Sequence, residues 1–132
     1  MRQEDKELLL KDLCARLPYG VKAKYYGSAE ECECCDTIEA IYPTDNEVVI
    51  GQYGLPIDDI KPYLFPLSSM TIEQRYELHD LIHNLNVLAI NGEIGDWIVS
   101  SSEIDWYNKN HFDYRGLISM GLALDATDKN IY

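Results

Sequence analysis

The stretch Thr37-Ile38-Glu39-Ala40-Ile41-Tyr42-Pro43-Thr44-Asp45-Asn46-Glu47-Val48-Val49-Ile50-Gly51 decides the fold class. Ile38, Ala40 and Tyr42 alternate with their neighbours, the spacing of a strand that buries one face. Pro43-Thr44-Asp45-Asn46 is a turn signal, because proline presets its own φ and Asp and Asn side chains bond the local backbone. Val48, Val49 and Ile50 are β-branched and form the next strand, closed by Gly51.

Working outward, Val21, Ala23 and Tyr25 alternate with Lys22 and Lys24 as a further strand, broken by Gly27 and Ser28. Downstream, Gly54 and Pro56 mark a turn, and Ile57 to Ile60 reads as a short fourth strand. Short strands joined by tight turns predict a small curved antiparallel sheet, in the form of an SH3-like barrel, over residues 19–64.

Helical periodicity brackets this region. Leu9, Leu10, Leu13, Cys14 and Leu17 make an apolar stripe that predicts a helix over 3–17, stopped by Pro18 and turned by Gly20. Residues 61–69 read as a linker packed against the sheet, since Pro62 and Pro66 forbid a helix while Tyr63, Leu64, Phe65 and Leu67 are apolar. Thr71 and Gln74 fit a capping box for a helix over 72–86, with Leu78, Leu81, Ile82 and Leu85 as its buried stripe. Asn91-Gly92 and Gly95-Asp96 are turn signals. A third helix is expected over 100–110, opened by Ser100 and Glu103, and a last one over 114–120, capped by Asp113 and ended at Gly121. The expected fold is therefore α+β in one domain spanning 1–132: an N-terminal helix over 1–18, the sheet over 19–64, and a linker with C-terminal helices packed on the sheet over 65–132.

The chain has 132 residues with 11 Lys+Arg against 23 Asp+Glu, a formal net charge of -12. The charge is spread evenly: residues 1–66 hold 13 acids and 7 bases, and residues 67–132 hold 10 and 4. Such a surface repels phosphate backbones, so no direct nucleic-acid binding is expected, and it attracts a basic protein surface. No apolar run reaches the roughly 18–20 residues of a membrane span, so no membrane partner is expected. The start Met1-Arg2-Gln3-Glu4-Asp5 is unlike a secretory signal, which points to the cytoplasm. In that compartment Cys14, Cys32, Cys34 and Cys35 are expected as thiols. No phosphate-binding loop or dinucleotide fingerprint is present, and no cofactor is expected.

Three clusters carry potential chemistry. His79-Asp80-Leu81-Ile82-His83 puts two imidazoles one helical turn apart, as metal ligands can be, but both point away from the apolar stripe towards solvent. Cys32-Glu33-Cys34-Cys35 could hold a soft metal, yet lacks the two separated pairs of structural zinc sites. Its flanking acids, Glu30, Glu31 and Asp36, oppose thiolate formation. His111-Phe112-Asp113-Tyr114-Arg115-Gly116 combines a base, an acid, a phenol and a guanidinium. It also reads as a structural corner in which Asp113 caps a helix and Arg115 pairs with a carboxylate. Tyrosine, 10 residues against 2 phenylalanines, suits half-wet surfaces such as protein interfaces.

Three longer stretches run in a recognisable order: Leu10-Lys11-Asp12-Leu13-Cys14-Ala15-Arg16-Leu17-Pro18-Tyr19-Gly20-Val21, Ile60-Lys61-Pro62-Tyr63-Leu64-Phe65-Pro66-Leu67-Ser68-Ser69-Met70-Thr71, and Asp105-Trp106-Tyr107-Asn108-Lys109-Asn110-His111-Phe112-Asp113-Tyr114-Arg115-Gly116-Leu117-Ile118. With the closing Gly121-Leu122-Ala123-Leu124-Asp125-Ala126, the chain resembles a family of small proteins of no assigned activity encoded by gut Bacteroidetes and their phages or prophages. The resemblance implies a phage or mobile-element setting and carries over no catalytic residue. Candidate contact residues within these stretches are Lys61, Tyr63, His111, Asp113, Tyr114 and Arg115.

The function expected is a non-enzymatic, acidic, protein-binding module of a phage or prophage, acting in the host cytoplasm on a host or phage protein with a basic surface. The alternatives are a metal-dependent hydrolase using His79, Asp80 and His83, and a phage structural or cargo protein.

Overall fold

The computed structural model describes residues 1–26 and 33–132, and the side chains of all of these except residues 26, 33 and 34. Gly27, Ser28, Glu30, Glu31 and Cys32 therefore lie outside the described residues. The fold is α+β. Helix α1 (Gln3–Arg16) precedes strands β1 (Lys22–Tyr26), β2 (Glu33–Tyr42), β3 (Glu47–Ile50), β4 (Tyr53–Pro56) and β5 (Ile60–Pro66). Helices α2 (Ile72–Ile90) and α3 (Asp96–Lys109) follow, then two two-residue strands, β6 (Phe112–Asp113) and β7 (Leu124–Asp125).

The strand order is β4-β3-β2-β1-β5-β6, with β7 also on β5. Strands β1 to β5 pair antiparallel, whereas β6 and β7 join β5 in parallel. The sheet is mixed and open, with β4 and β6 at opposite ends of the path, so the expected SH3-like barrel does not form. The β2–β3 turn falls at Pro43–Asp45, as the sequence predicts, with Asn46 in the left-handed region at φ 52°. Gly51 and Gln52, at φ 56° and 71°, form the two-residue turn into β4. Paired positive φ values match the twist of adjacent strands, so residues 53–56 pair back on β3. The expected fourth strand at 57–60 is instead a 3-10 turn, Ile57–Asp59, leading into β5.

The expected linker is largely strand β5. Ile60, Pro62 and Leu64 face inward and Lys61 outward, a period of two that the prolines disguise. Most of the core lies between α1 and the sheet, where Leu9, Leu13, Val21, Ala23, Val48, Ile50, Ile60 and Leu64 pack with Leu117. A smaller core of Leu78, Trp106 and Phe112 joins the base of the α2–α3 hairpin to β5 through Phe65.

Helix α2 begins as predicted, with both bonds of the Thr71–Gln74 capping box present. It runs on to Ile90, past the expected end at 86, and stops where Gly92 turns at φ 76°. Helix α3 starts at Asp96, behind Gly95, rather than at Ser100, and the acid in its first turn favours that start.

The expected helix over 114–120 is absent. Gly116 sits at φ 77°, which breaks any helical run from Tyr114. What remains is a single turn. The Asp113 carboxylate accepts from the Leu117 and Ile118 amides, both at 2.9 Å. Gly121 (φ 76°) ends it, with Leu122 N–H donating to Leu117 O and Gly121 N–H to Ile118 O. Asp113→Ala is expected to cost about 1–3 kcal/mol in urea unfolding, because two backbone donors lose their acceptor. Asp113→Asn, which keeps one acceptor oxygen, should fall between that variant and the native protein.

Candidate interaction surface

The contact residues expected from the sequence separate into two places. Lys61 lies on β5 in a cleft of about 210 Å³ with Lys24, Asp58, Asp59 and Leu124. Tyr63, His111, Asp113, Tyr114 and Arg115 gather where β5, the residues after α3, and α1 meet, with hydrogen bonds at the Tyr63 carbonyl and the Asp113, Tyr114 and Arg115 side chains, and ring stacking at His111.

The centre of this junction is Asp12. Its side chain and that of Arg16 are 0% exposed. At about 100° per residue, both fall with Leu9 and Leu13 on the buried face of α1, while Cys14 swings to the edge and is exposed rather than core. Asp12 accepts from Arg16 Nε at 2.7 Å and Nη2 at 3.2 Å, and from Arg115 Nε at 3.1 Å. Arg16 Nη2 also donates to Phe112 O at 2.7 Å. Both guanidinium carbons approach the Tyr114 ring, at 5.2 and 4.9 Å, and that ring stacks on Tyr107. Removing the carboxylate leaves a buried guanidinium unpaired. Asp12→Ala is thus expected to lose about 3–5 kcal/mol in urea unfolding. Asp12→Leu combined with Arg16→Met should recover at least half of that loss.

Beside it, the His111 ring stacks on Tyr132 with centroids 3.6 Å apart. The Tyr132 hydroxyl donates to Tyr63 O at 2.8 Å and accepts from Lys22 N–H at 2.9 Å. Burial pushes that hydroxyl up to about 12. Burial, then the Arg16 and Lys22 cations, lower His111 to about 4. Its Nδ1 is buried without a hydrogen-bond partner among the described residues, consistent with a neutral ring. The unfolded chain protonates this imidazole near 6.5, so its contribution to stability is complete above that pH. It is lost as pH falls from about 6.5 towards about 4. His111→Asn, which suits the positive φ of 64°, should show a shallower fall in unfolding free energy over this window than the native protein.

The stretch richest in chemistry is therefore an architectural lock. The open surface lies elsewhere, on α2. Helix α2 packs chiefly on α3, using Leu78, Leu81 and Ile82. On its opposite side Ile72 and Tyr76 are 68% and 67% exposed, Val87 44% and Ile90 84%. His79 lies between them, with Asp80 at 3.9 Å, and its ring stacks on that of His83 with centroids 6.4 Å apart and planes 5° from parallel. Ile72, Tyr76, His79, His83, Val87 and Ile90 recur at intervals of four, three, four, four and three, within an arc of about 80°. Trp97, at the start of α3, is 73% exposed near the same end as Ile90. The sequence signal for this second stripe was present in the spacing, but the stronger stripe through Leu78 masked it.

The two histidines point outward as expected, and among the described residues no three His, Cys, Asp or Glu side chains come together as metal ligands. Cys35 is exposed, and partial burial of its sulfur raises its pKa, as does the neighbouring Asp36, against the pull of Lys22. Cys14 lines a cleft with Leu10, Lys11 and Pro43, and partial burial raises its pKa too. Both shifts oppose thiolate formation. Among the described residues no helix is long and apolar enough to cross a membrane. No protein-family model, curated protein or solved structure matches the chain.

Proposed function

We propose that the protein is a non-enzymatic, protein-binding module whose contact surface is the outer face of α2, working in the phage or prophage setting that its recurring sequence stretches suggest. The observation that supports this most is the uncovered stripe of Ile72, Tyr76, Val87 and Ile90 in a chain with a net charge of -12. A helix with apolar residues on both faces needs a cover on both, and α3 supplies only one. The engagement of His111, Asp113, Tyr114 and Arg115 in internal contacts supports a structural role for that cluster. A basic partner surface, attracted by the overall charge, would find its carboxylates elsewhere, for instance at Asp36 and Glu39 or at Asp58 and Asp59.

A photo-reactive residue placed at Tyr76 or Val87 is expected to cross-link to protein in host cells, whereas one at Tyr42, on the far side of the sheet path, is not. Contacts made through the α2 face should survive high salt, and contacts made through the carboxylates should weaken with it. Absence of any cross-link from Tyr76 and Val87 above the Tyr42 background would defeat this reading.

A further inference from the structure

The six residues on the outer face of α2 have a symmetry of their own. From one end they read Ile72, Tyr76, His79, His83, Val87, Ile90. From the other they read apolar, apolar, His, His, aromatic, apolar. The pattern is centred near Leu81, so an identical helix laid antiparallel sets Ile72 against Ile90, Tyr76 against Val87, and His79 against His83. An isologous two-fold contact requires this self-complementarity. We propose, building on the interaction reading above, that the occupant of the α2 face is a second copy of this chain, docked antiparallel along α2, and that the four imidazoles so gathered hold a divalent metal of the zinc class.

Two observations favour this occupant. The six residues include no acid and no base other than histidine, so a basic partner finds only Asp80, beside His79, to pair with. A second copy brings matching apolar side chains into the contact, with Asp80 the charge nearest its centre, where a divalent cation offsets it.

The histidines fit a metal in geometry and number. His79 and His83 stand one turn apart with parallel rings, each on the open side of the helix. Two histidines at this spacing can share one zinc ion, and structural zinc takes four ligands. One chain supplies two, and the antiparallel pairing supplies the other two. The stripe spans about 27 Å, short for an apolar seam to hold two chains alone. A bridging ion at its centre adds what the length lacks.

Sedimentation equilibrium of the purified chain, in chelator and then with added zinc chloride, tests the proposal. The expected result is a species of twice 15.2 kDa, with zinc tightening association about tenfold or more. Zinc should have no such effect on the double variant His79→Ala, His83→Ala, which leaves the cysteines in place. Ile72→Glu and Ile90→Lys should each weaken the dimer. The two together should restore it, because only antiparallel pairing sets position 72 of one copy against position 90 of the other. Tyr42→Glu should leave it intact. Circular dichroism melts report whether each variant is folded. A dimer indifferent to the Ile72 and Ile90 changes, or a double variant no better than the singles, would overturn the docking. A zinc response that persists without both histidines would overturn the metal site. A chain that stays monomeric with and without zinc, yet cross-links to another protein from position 76, would leave the interaction reading standing and remove the second copy. Silence in both experiments would remove both.

Discussion

One carboxylate, Asp12, sits in the interior between the guanidinium groups of Arg16 and Arg115, and the arrangement of the chain after α3 depends on it. That region has little regular structure of its own, only two short parallel strands and one capped turn. Its position is fixed by polar bonds to other elements together with the burial of Phe112, Leu117 and Leu122 in the cores. Arg16 holds the carbonyl of Phe112, Arg115 reaches Asp12, and the Tyr132 hydroxyl bridges β1 and β5. A buried ion pair adds little net stability over an apolar one, because desolvation offsets the attraction. It does penalise every arrangement that leaves one partner alone, which disfavours dockings of the terminal segment that lack these contacts to α1.

Two cores divide the molecule. The larger lies between α1 and the open sheet, and the smaller sits under the base of the α2–α3 hairpin, where Phe112 stacks on Trp106 with centroids 5.6 Å apart. The second core takes its α2 members from Leu78, Leu81 and Ile82, in the middle of that helix. The same geometry that frees the outer face of α2 also consumes the side chains at 111–115. A stretch that looks like an active site from its residue types is thus structural, and the outer face of α2 is left exposed.

Much of the fold was legible where local chemistry was strong. The Thr71–Gln74 box, the Pro43 turn and the stripe through Leu9 and Leu13 each depend on neighbours in sequence, and each formed. The barrel did not form, because closure depends on which distant strands pair. Strand β5 was hidden because prolines silence the ladder position they occupy without preventing an extended backbone. The last helix failed at Gly116, whose positive φ only the packed chain reveals. For the site, Asp113 as a cap and Arg115 beside a carboxylate were both readable. The identity of that carboxylate, 103 positions away on α1, was not.

The amino-acid order by itself determined the α+β class, the acidic character and the register of the helical stripes, because these follow from nearest-neighbour periodicity and composition. Only the tertiary structure decided that the second stripe of α2 stays uncovered, and that Asp12 and Arg16 would be interior. Those outcomes turn on long-range packing, in which a single partner helix can shield one face and no more.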